Sequence, residues 1–466
     1  MTPKSEKFLK MTTTPVEKLI INLAAPSIVI MLISALYNMV DTYFVSSLGT
    51  SQVGAVGIAF PLMSVIQAVG FCFGVGSGNY ISRTLGAQDT ENAFRMAATG
   101  FFSAFLLMAL MAAAGLIGLS PLIDGLGATE TIKPYAKDYI FFILMASPWM
   151  VAAMVMNQQL RFQGSAAVAL VGIFSGAILN IFLDPLFIFV FRLGVKGAAI
   201  ATMVSQMVSF SILFFYGCSR KGNIPIKFNY FSPSIFRYKE MFKGGIPSLL
   251  RQGLMSVANI IINHFARGHG DAAIAAISIV NRICMFANST MLGFSQGYQP
   301  VCGFNYGAKL YSRVKKGFFF CIRFCFISLL LIAISLSVFA PQIIALFRKD
   351  DLEVIAIGIR GLRLNCMSLP LLSILLMVNV TAQTMGKALQ ASILAFARQG
   401  LFLIPCLFIL SPFLGLLGVQ MSTPLSDLLS LIIIIPNMVK ILKEISVPDK
   451  PDEYAVHEAP KIIDIE

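Results

Sequence analysis

Two carboxylates, Asp41 and Asp184, lie in stretches of sequence that are otherwise almost entirely apolar. A charge inside such a stretch is costly, so an ionisable residue there indicates ion or substrate handling. Tyr37 precedes Asp41 by four residues and Asn180 precedes Asp184 by four, so each pair would share one face of a helix. Two carboxylates in a medium of low dielectric constant cannot both ionise cheaply, so one should hold a proton unless a cation neutralises the pair. The alternative is a structural role, with each acid held by a neighbouring amide or hydroxyl.

Thr202 and Ala198 add a hydroxyl oxygen and a backbone carbonyl oxygen on a further apolar segment. At a rise of 1.5 Å per residue, Asp41, Asp184 and Thr202 would all lie about 10 Å below the outer membrane surface. Oxygen ligands of this kind suit a proton or a small, hard cation such as Na+. We therefore predict a site for H+ or Na+ formed by Asp41, Asn180, Asp184, Thr202 and Ala198.

The chain offers little for enzymatic chemistry. Its three histidines are His264 and His269, near the outer end of a predicted span, and His457 in the C-terminal tail. The eight cysteines lie in or beside apolar stretches and lack the spacing and histidine partners of a metal site. We therefore predict a protein that is not an enzyme and that needs no cofactor, with H+ or Na+ as its coupling ion.

The composition predicts the elements that must position these residues. Hydrophobic residues make up 57% of the 466 residues and charged residues only 12%, which is typical of a membrane protein with many spans. A spanning helix needs roughly 20 apolar residues. The expected fold is an all-α integral membrane protein with twelve transmembrane helices. They are predicted near 19–47, 53–82, 93–120, 135–160, 166–190, 195–217, 241–265, 272–303, 317–341, 353–381, 389–411 and 415–440.

The basic residues predict the topology. The net charge is +13, but the lysines and arginines concentrate in alternate loops, which favours a cytoplasmic side of a membrane over a nucleic-acid surface. Both termini are expected in the cytoplasm, with the protein in the cell (inner or plasma) membrane and the bilayer as its surroundings. The first seventeen residues lack a cleavage site, so the first span is expected to stay as an anchor. Residues 446–466 are expected to form a disordered cytoplasmic tail.

An internal repeat divides the chain. At a shift of 221 residues Pro26 aligns with Pro247, and Gly86 with Gly307. This predicts two six-helix lobes, at 1–217 and 244–445, joined by a cytoplasmic linker at 218–243. Because six is even, the lobes would be parallel repeats, an arrangement typical of secondary transporters that open a central cleft to alternate sides. Pro26 and Pro247 would bend the first helix of each lobe.

The predicted ion site has no copy in the second lobe. At the same shift Asp41 becomes Ile262 and Asp184 becomes Pro405, whereas Thr202 keeps its hydroxyl as Thr423. A purely architectural role would be needed in both lobes, so the asymmetry favours a functional site built once. Arg282 and Arg398 in the second lobe either line the cleft, bind lipid phosphate, or pair with helix ends or Asp427.

Several segments together resemble one known family. They are Tyr-Asn-Met-Val-Asp-Thr at 37–42, Gly-Ser-Gly-Asn-Tyr at 76–80, Leu-Gly-Ala-Gln at 85–88, Arg-Phe-Gln-Gly at 161–164, Asn-Ile-Phe-Leu-Asp-Pro at 180–185, Gln-Gly-Tyr-Gln-Pro at 296–300 and Phe-Asn-Tyr-Gly-Ala at 304–308. The chain is similar to the multidrug and toxic compound extrusion (MATE) family, in its DinF-like branch. The resemblance implies two V-shaped lobes and export of amphipathic, often cationic, compounds in exchange for Na+ or H+.

The resemblance also implies roles for individual residues. It assigns the ion site to Asp41, Asn180, Asp184 and Thr202, with Tyr37 and Asn157 nearby, and it implies bending of the first helix at Pro26. Another branch has an acidic residue eight positions after the second-lobe proline, where this chain has Met255. The candidates for the substrate cleft are Tyr37, Asn157, Met255 and Arg282.

The prediction is thus a multidrug antiporter that acts as a monomer on small molecules and binds no nucleic acid. Two alternatives remain at this point. One is a flippase for lipid-linked oligosaccharide from the same wider superfamily, and the other is a channel or receptor.

Overall fold

The computed structural model of the protein describes residues 3–46, 48–219, 224–347 and 351–449, except for the side chains of residues 3–5, 35, 37–43, 46, 50, 216–219 and 271. Within this part the chain is all-helical and contains no strand. The helices are α1 Pro3–Thr13, α2 Val16–Ser46, α3 Thr50–Gly86, α4 Thr90–Ile117, α5 Leu119–Gly125, α6 Lys133–Phe162, α7 Ala166–Pro185, α8 Gly194–Ser219, α9 Ile235–Arg267, α10 Asp271–Gly307, α11 Tyr311–Val338, α12 Ala340–Phe347, α13 Leu352–Ser368, α14 Leu372–Thr384, α15 Ala388–Phe396, α16 Ile404–Leu414 and α17 Leu416–Glu444.

Twelve helical segments among the described residues are long and apolar enough to cross a membrane, which confirms the predicted fold class and number of spans. Nine of these spans are single helices, and the fifth continues from α7 into the π turn Leu186–Val190. The tenth span joins α13 to α14 through the 3-10 turn Leu369–Leu371, and the eleventh joins α15 to α16 through the π turn Ala397–Leu403. A helix satisfies its own backbone hydrogen bonds, so these long apolar helices suit a medium without water.

Besides the twelve spans of the structure, the described residues form three short α-helices. Helix α1 precedes the first span, and α5 and α12 each follow the third span of their half. The starts of α5 and α12 are separated by the same 221 positions that relate the two halves, since Leu119 aligns with Ala340. The internal repeat therefore extends to elements that the apolar pattern did not reveal.

Helix α9 begins inside the segment predicted as a linker. Ser234 accepts a hydrogen bond from the backbone N–H of Arg237 at 3.3 Å and so caps a helix that starts at Ile235. The preceding residues pack on the first half, where the ring of Tyr230 meets Phe94 edge to face, 5.3 Å between centroids. The described part of the linker is thus bound to the helices around it. Of the predicted tail, residues 450–466 lie outside the described residues.

Helices pack both within and across the halves of the chain. In the first half α6 contacts α3, α4 and α8, and in the second α10 contacts α11 and α13. Across the halves α2 packs against α10 and α3 against α9. The first turns of α2, including Leu19 and Ile20, belong to the hydrophobic core of the second half. Helix α2 therefore links the two halves, and the lobe boundaries at 217 and 244 stay a prediction.

Glycines bring the halves together at one end of the bundle. A Cβ on Gly86 would lie 2.1 Å from the carbonyl oxygen of Phe304, and one on Gly307 would lie 2.0 Å from that of Arg83. Real Cβ atoms do not approach so closely, so only glycine permits this contact. Asn305, next to these residues, donates to the carbonyl oxygen of Met11 at 3.2 Å, which places the seam at the end that holds α1.

Other glycines make no such contact. A Cβ added to Gly49, Gly57, Gly253 or Gly270 would meet nothing within 4 Å. All four are exposed. The close approach of the halves is thus specific to the seam near α1.

Candidate ion-binding site

Asn180, Asp184 and Thr202 meet between α7 and α8. Asp184 is fully buried at 0% exposure, and Asn180 is 1% exposed. When the oxygen of its amide faces Thr202, Asn180 donates to Asp184 Oδ2 at 2.9 Å and accepts from the backbone N–H of Thr202 at 3.3 Å. In the opposite orientation the amide keeps a 3.3 Å bond to Asp184 Oδ1. The first orientation satisfies both amide groups and joins the three residues in one cluster.

Small residues let α7 and α8 approach closely enough to form this cluster. A Cβ on Gly172 would lie 2.3 Å from Leu213 Cγ, and one on Gly176 would lie 2.8 Å from Ser209 Cβ. Ser209 also donates to the carbonyl oxygen of Gly172 at 2.9 Å. One helical turn further along α7, the same face presents Asn180 to α8. Small residues at such a contact are typical of helices packed in membranes.

Beyond Asp184 the helix changes its geometry. Pro185 is the last residue of α7 and is followed by the π turn Leu186–Val190. Proline removes one backbone N–H from the helical ladder, and π turns are frequent at functional sites. Gly197 packs against this turn, since a Cβ there would lie 2.7 Å from the carbonyl oxygen of Phe187. The start of α8 is thereby held beside the end of α7.

The other predicted ligands are placed less completely. Ala198 is buried on α8, one turn before Thr202, whose side chain is also buried. Asp41 and Tyr37 lie on the backbone of α2, but their side chains are outside the described residues. Helix α2 packs against α7, so the backbone that carries Asp41 belongs to the helix next to Asp184. Participation of Asp41 stays a prediction.

Asn157 makes a bond that is repeated in the second half. It is buried, and its Nδ2 donates to the carbonyl oxygen of Ala169 at 3.0 Å. Asn379 donates in the same way to Ala391 at 2.7 Å, with the same separation of 12 residues. Each bond ties two consecutive helices of its half together, which is a structural use of the Asn157 amide.

The remaining candidates lie in the second half. Met255 on α9 is 44% exposed, and Arg282 on α10 is exposed. Arg398 donates from Nε to Asp427 Oδ1 at 2.6 Å, and Ser368 donates to the other carboxylate oxygen at 2.9 Å. Of the roles left open for Arg398, pairing with Asp427 is therefore the observed one.

One buried cation was missed as a functional position. Arg161 is 2% exposed and donates to the side-chain oxygens of Gln158, on its own helix, and Gln296, on α10. In the sequence Arg161 begins the Arg-Phe-Gln-Gly segment at 161–164 that contributes to the family resemblance, but no role was predicted for its side chain. Its partner across the halves could not be predicted because it depends on how α6 faces α10.

The chemistry of the site is that of oxygen ligands and one buried acid. Among the described residues no three histidine, cysteine or acidic side chains come together in a group that could hold a metal ion. What the cluster offers is a carboxylate, an amide and the backbone and hydroxyl groups of Thr202. Such a set can bind a proton on Asp184 or contribute oxygens to a small hard cation.

Comparison with known proteins decides the family. The sequence profile of the MatE family matches residues 26–186 and 247–409, once in each half. The chain belongs to this family of MATE transporters. The two matches begin 221 residues apart, at Pro26 and Pro247, as the internal repeat predicts. MATE proteins are transporters, so the predictions of the family and of a protein that is not an enzyme are confirmed.

Relatives and solved structures cover almost the whole MATE chain. It is 29% identical over 429 residues to the multidrug export protein MepA of Staphylococcus haemolyticus, covering 91% of this chain and 93% of that protein. It is 27% identical to a structure described as the outward-facing conformation of a multidrug resistance MATE family transporter, with a TM-score of 0.89 over 94% of this chain and 99% of the other. A MOP superfamily transporter from Pyrococcus furiosus, described as having a binding pocket of reverse polarity, matches with 27% identity and a TM-score of 0.85 over the same shares.

Proposed function

We propose that this MATE protein exports amphipathic, often cationic, compounds by antiport with H+ or Na+. The observation that carries the proposal is the buried cluster of Asn180, Asp184 and Thr202, which lies in one half only. The names of its relatives support the cargo, because they are multidrug export proteins and a multidrug resistance transporter. The assignment to the DinF-like branch stays a prediction.

Ion binding would act through the charge of Asp184. An ionised carboxylate that is buried without a cation is unfavourable, so the outward-open state gains stability when Asp184 takes up a proton or Na+. In this proposal Asp41 supplies a second carboxylate from α2, and Ala198 and Thr202 supply neutral oxygens. Release of the ion on the other side would restore the charge and favour binding of a cationic substrate.

Helix α2 would connect the ion site to the movement of the halves. Its first turns lie in the core of the second half, and the helix also packs against α7, which carries Asp184. We propose that the later turns of α2, with Asp41, make the contact near Asp184. Pro26 lies between these two regions and is a natural point for bending. A change in charge at Asp41 and Asp184 could thus alter how α2 holds the two halves. Pro247 would serve α9 in the same way.

The seam near α1 suits alternating access. If both termini are in the cytoplasm, as predicted, this seam would close the cytoplasmic side, and rocking of the halves would open it. Exchange of one monovalent cation for one cationic substrate moves no net charge. It would then depend on the ion concentration gradient and gain nothing from the roughly 2.3 kcal/mol per charge that 100 mV supplies.

The remaining parts of the proposal concern the membrane location, the oligomeric state and the residues that line the cleft. The protein is a multi-pass membrane protein, and we propose that it works as a monomer in the cell membrane. We propose that the cleft is lined by Tyr37, Met255 and Arg282. The side chains of Met255 and Arg282 are exposed, as this role requires.

Transport into inverted membrane vesicles tests the function. Ethidium uptake is measured with either a pH gradient or a Na+ gradient as the sole driving force. The wild-type protein should drive uptake with at least one gradient, and which one works identifies the coupling ion. Asp184→Asn should leave the protein folded in the membrane and lower uptake to the level of vesicles without it.

Asp138→Asn is the matched control, because Asp138 is an exposed acid on α6 away from the cluster. Undiminished uptake in Asp184→Asn would reject the assigned site. No uptake by the wild-type protein with either gradient, for ethidium and other lipophilic cations alike, would reject antiport itself.

A further inference from the structure

The second half contains a small pocket that partly corresponds to the proposed ion site of the first half. A water-sized group can occupy about 20 Å³ of it, and residues of α9, α10, α13 and α17 line it. Ile262 and Thr423 line it, and at the shift of 221 they correspond to Asp41 and Thr202. Two positions of the proposed ion site thus have counterparts in the lining of this pocket, which contains no carboxylate.

Three amides line this pocket in place of an acid: Asn281, Asn365 and Gln420. Asn365 Nδ2 donates to the carbonyl oxygen of Gly361 at 2.9 Å, and Gln420 Nε2 donates to that of Ile357 at 2.9 Å. Both bonds direct the NH2 group toward the backbone of α13. The carbonyl oxygens of the two amides are therefore the groups left to act as acceptors.

Gln420 gives the second, independent observation. It is 6% exposed, and its Oε1 is buried and accepts no hydrogen bond from any described residue. Gly361 lies beside this amide, since a Cβ there would be 3.1 Å from Gln420 Nε2. Buried acceptors are usually hydrogen-bonded, so this oxygen is available to a donor that enters the pocket.

We infer that this pocket binds the N–H donor group of the transported compound. The polar side chains that line it are uncharged, and Asp427, a buried acid on the same helix as Thr423, is paired with Arg398. Acceptor oxygens among apolar residues orient a ligand through its hydrogen-bond donors, as in other small-molecule sites. The first half would then handle the ion and the second half would select substrates that carry amine or amide N–H groups. This inference rests on the proposed export function.

Two cationic probes distinguish this site from a general attraction for cations. Ethidium carries aromatic amines with N–H donors, whereas tetraphenylphosphonium has the same charge and no donor. Their equilibrium affinities are measured for the purified full-length protein in lipid nanodiscs. Thr423→Val and Asn365→Leu should each weaken ethidium binding about five- to tenfold, the effect of losing one hydrogen bond, and leave tetraphenylphosphonium unchanged.

The chain offers matched controls for both variants. Asn437 on α17 also donates to the carbonyl oxygen four residues earlier, at 2.8 Å, so Asn437→Leu removes the same local bond outside the pocket. Ser422 directly precedes Thr423, and its hydroxyl donates to the carbonyl oxygen of Gly418. Ser422→Ala therefore removes a neighbouring hydroxyl that does not line the pocket. Both controls should bind the two probes like the wild-type protein. If Asn365→Leu does not fold, Thr423→Val decides the question alone.

Three results would overturn the inference. One is an equal loss for both probes, another is no loss for either, and the third is a loss of Na+ binding with ethidium binding intact, which would make the pocket an ion site. If the wild-type protein exports both probes, each of these results leaves the proposed function standing. If it exports neither, the proposed function fails and the inference fails with it.

Discussion

Arg83 donates a hydrogen bond to the backbone carbonyl oxygen of Thr384, 2.9 Å away, across the seam between the two halves. The donor is Nη1, and the Nη2 atom of the same guanidinium lies 3.5 Å from Oε2 of Glu240, in the first turns of α9. One side chain on α3 thus holds both α9 and the end of α14. These contacts stabilise the end of the bundle at which the two halves meet.

Replacing Arg83 should loosen this end. Arg83→Gln loses the ion pair and a charge-assisted hydrogen bond, which together should cost about 1.5–3 kcal/mol. We expect a lower melting temperature and faster alkylation of Cys302, a buried residue of the seam, when it is the sole cysteine. Arg95→Gln is the control, because Arg95 pairs with Glu91 on an exposed helix face. Equal alkylation in the two variants would show that Arg83 does not hold the seam.

The seam glycines should tolerate no side chain. Gly86→Ala would place a methyl group 2.1 Å from the carbonyl oxygen of Phe304 and force the helices apart, at a cost of about 1–3 kcal/mol. Gly307→Ala should behave alike, because it meets Arg83 in the equivalent contact. Gly57→Ala, at a position with open space, should leave the melting temperature unchanged or slightly raised. A seam variant as stable as Gly57→Ala would contradict the close approach of the halves.

The paired asparagines predict effects of different size in the two halves. Asn157→Leu removes one bond between consecutive helices and should lower the free energy of unfolding by about 0.5–1.5 kcal/mol. Asn379→Leu should cost more, because Asn379 Oδ1 also accepts a hydrogen bond from Arg251 at 3.3 Å. Ion-driven ethidium uptake per folded protein should stay close to that of the wild type in both. If Asn157→Leu alone stops uptake without loss of stability, Asn157 belongs to the ion site and its bond to Ala169 is secondary.

Asp427 is the buried acid of the second half, and its expected role differs from that of Asp184. Asp427→Asn leaves Arg398 without its counter-charge and should destabilise the protein by about 3–5 kcal/mol. The double variant Arg398→Met with Asp427→Leu should recover much of this loss, as measured by thermal unfolding. Ion-driven uptake by the folded double variant should persist. Its loss at normal stability would assign coupling to the second half as well.

Much of the fold could be predicted from the sequence because its causes are local. A span needs a continuous apolar stretch, and a helix satisfies its backbone within that stretch, so twelve spans can be counted without knowing any contact. The duplication is equally visible, since Pro26 with Pro247 and Gly86 with Gly307 share one shift. The short helices α5 and α12 were not predicted, because a single residue, Gly118 or Phe339, separates each from the preceding span. The apolar stretch therefore continues into them without a visible break.

The candidate site shows the same division. The Asn180 and Asp184 pair follows from helical periodicity, which brings residues four apart onto one face. That Thr202 joins them depends on the close packing of α7 and α8 at Gly172 and Gly176. Apolar helices permit many rotations about their axes, and packing selects one of them.

The sequence alone determined the class of protein, its twelve spans, its repeat and the acids that could hold an ion, because each follows from composition or short-range spacing. Only the tertiary structure decided which buried amides serve architecture and which line a pocket. Asn157 and Gln420 are both amides that join two helices, yet only Gln420 also lines the pocket and leaves its oxygen without a partner among the described residues. The difference arises from neighbours distant in the chain, which no local pattern records.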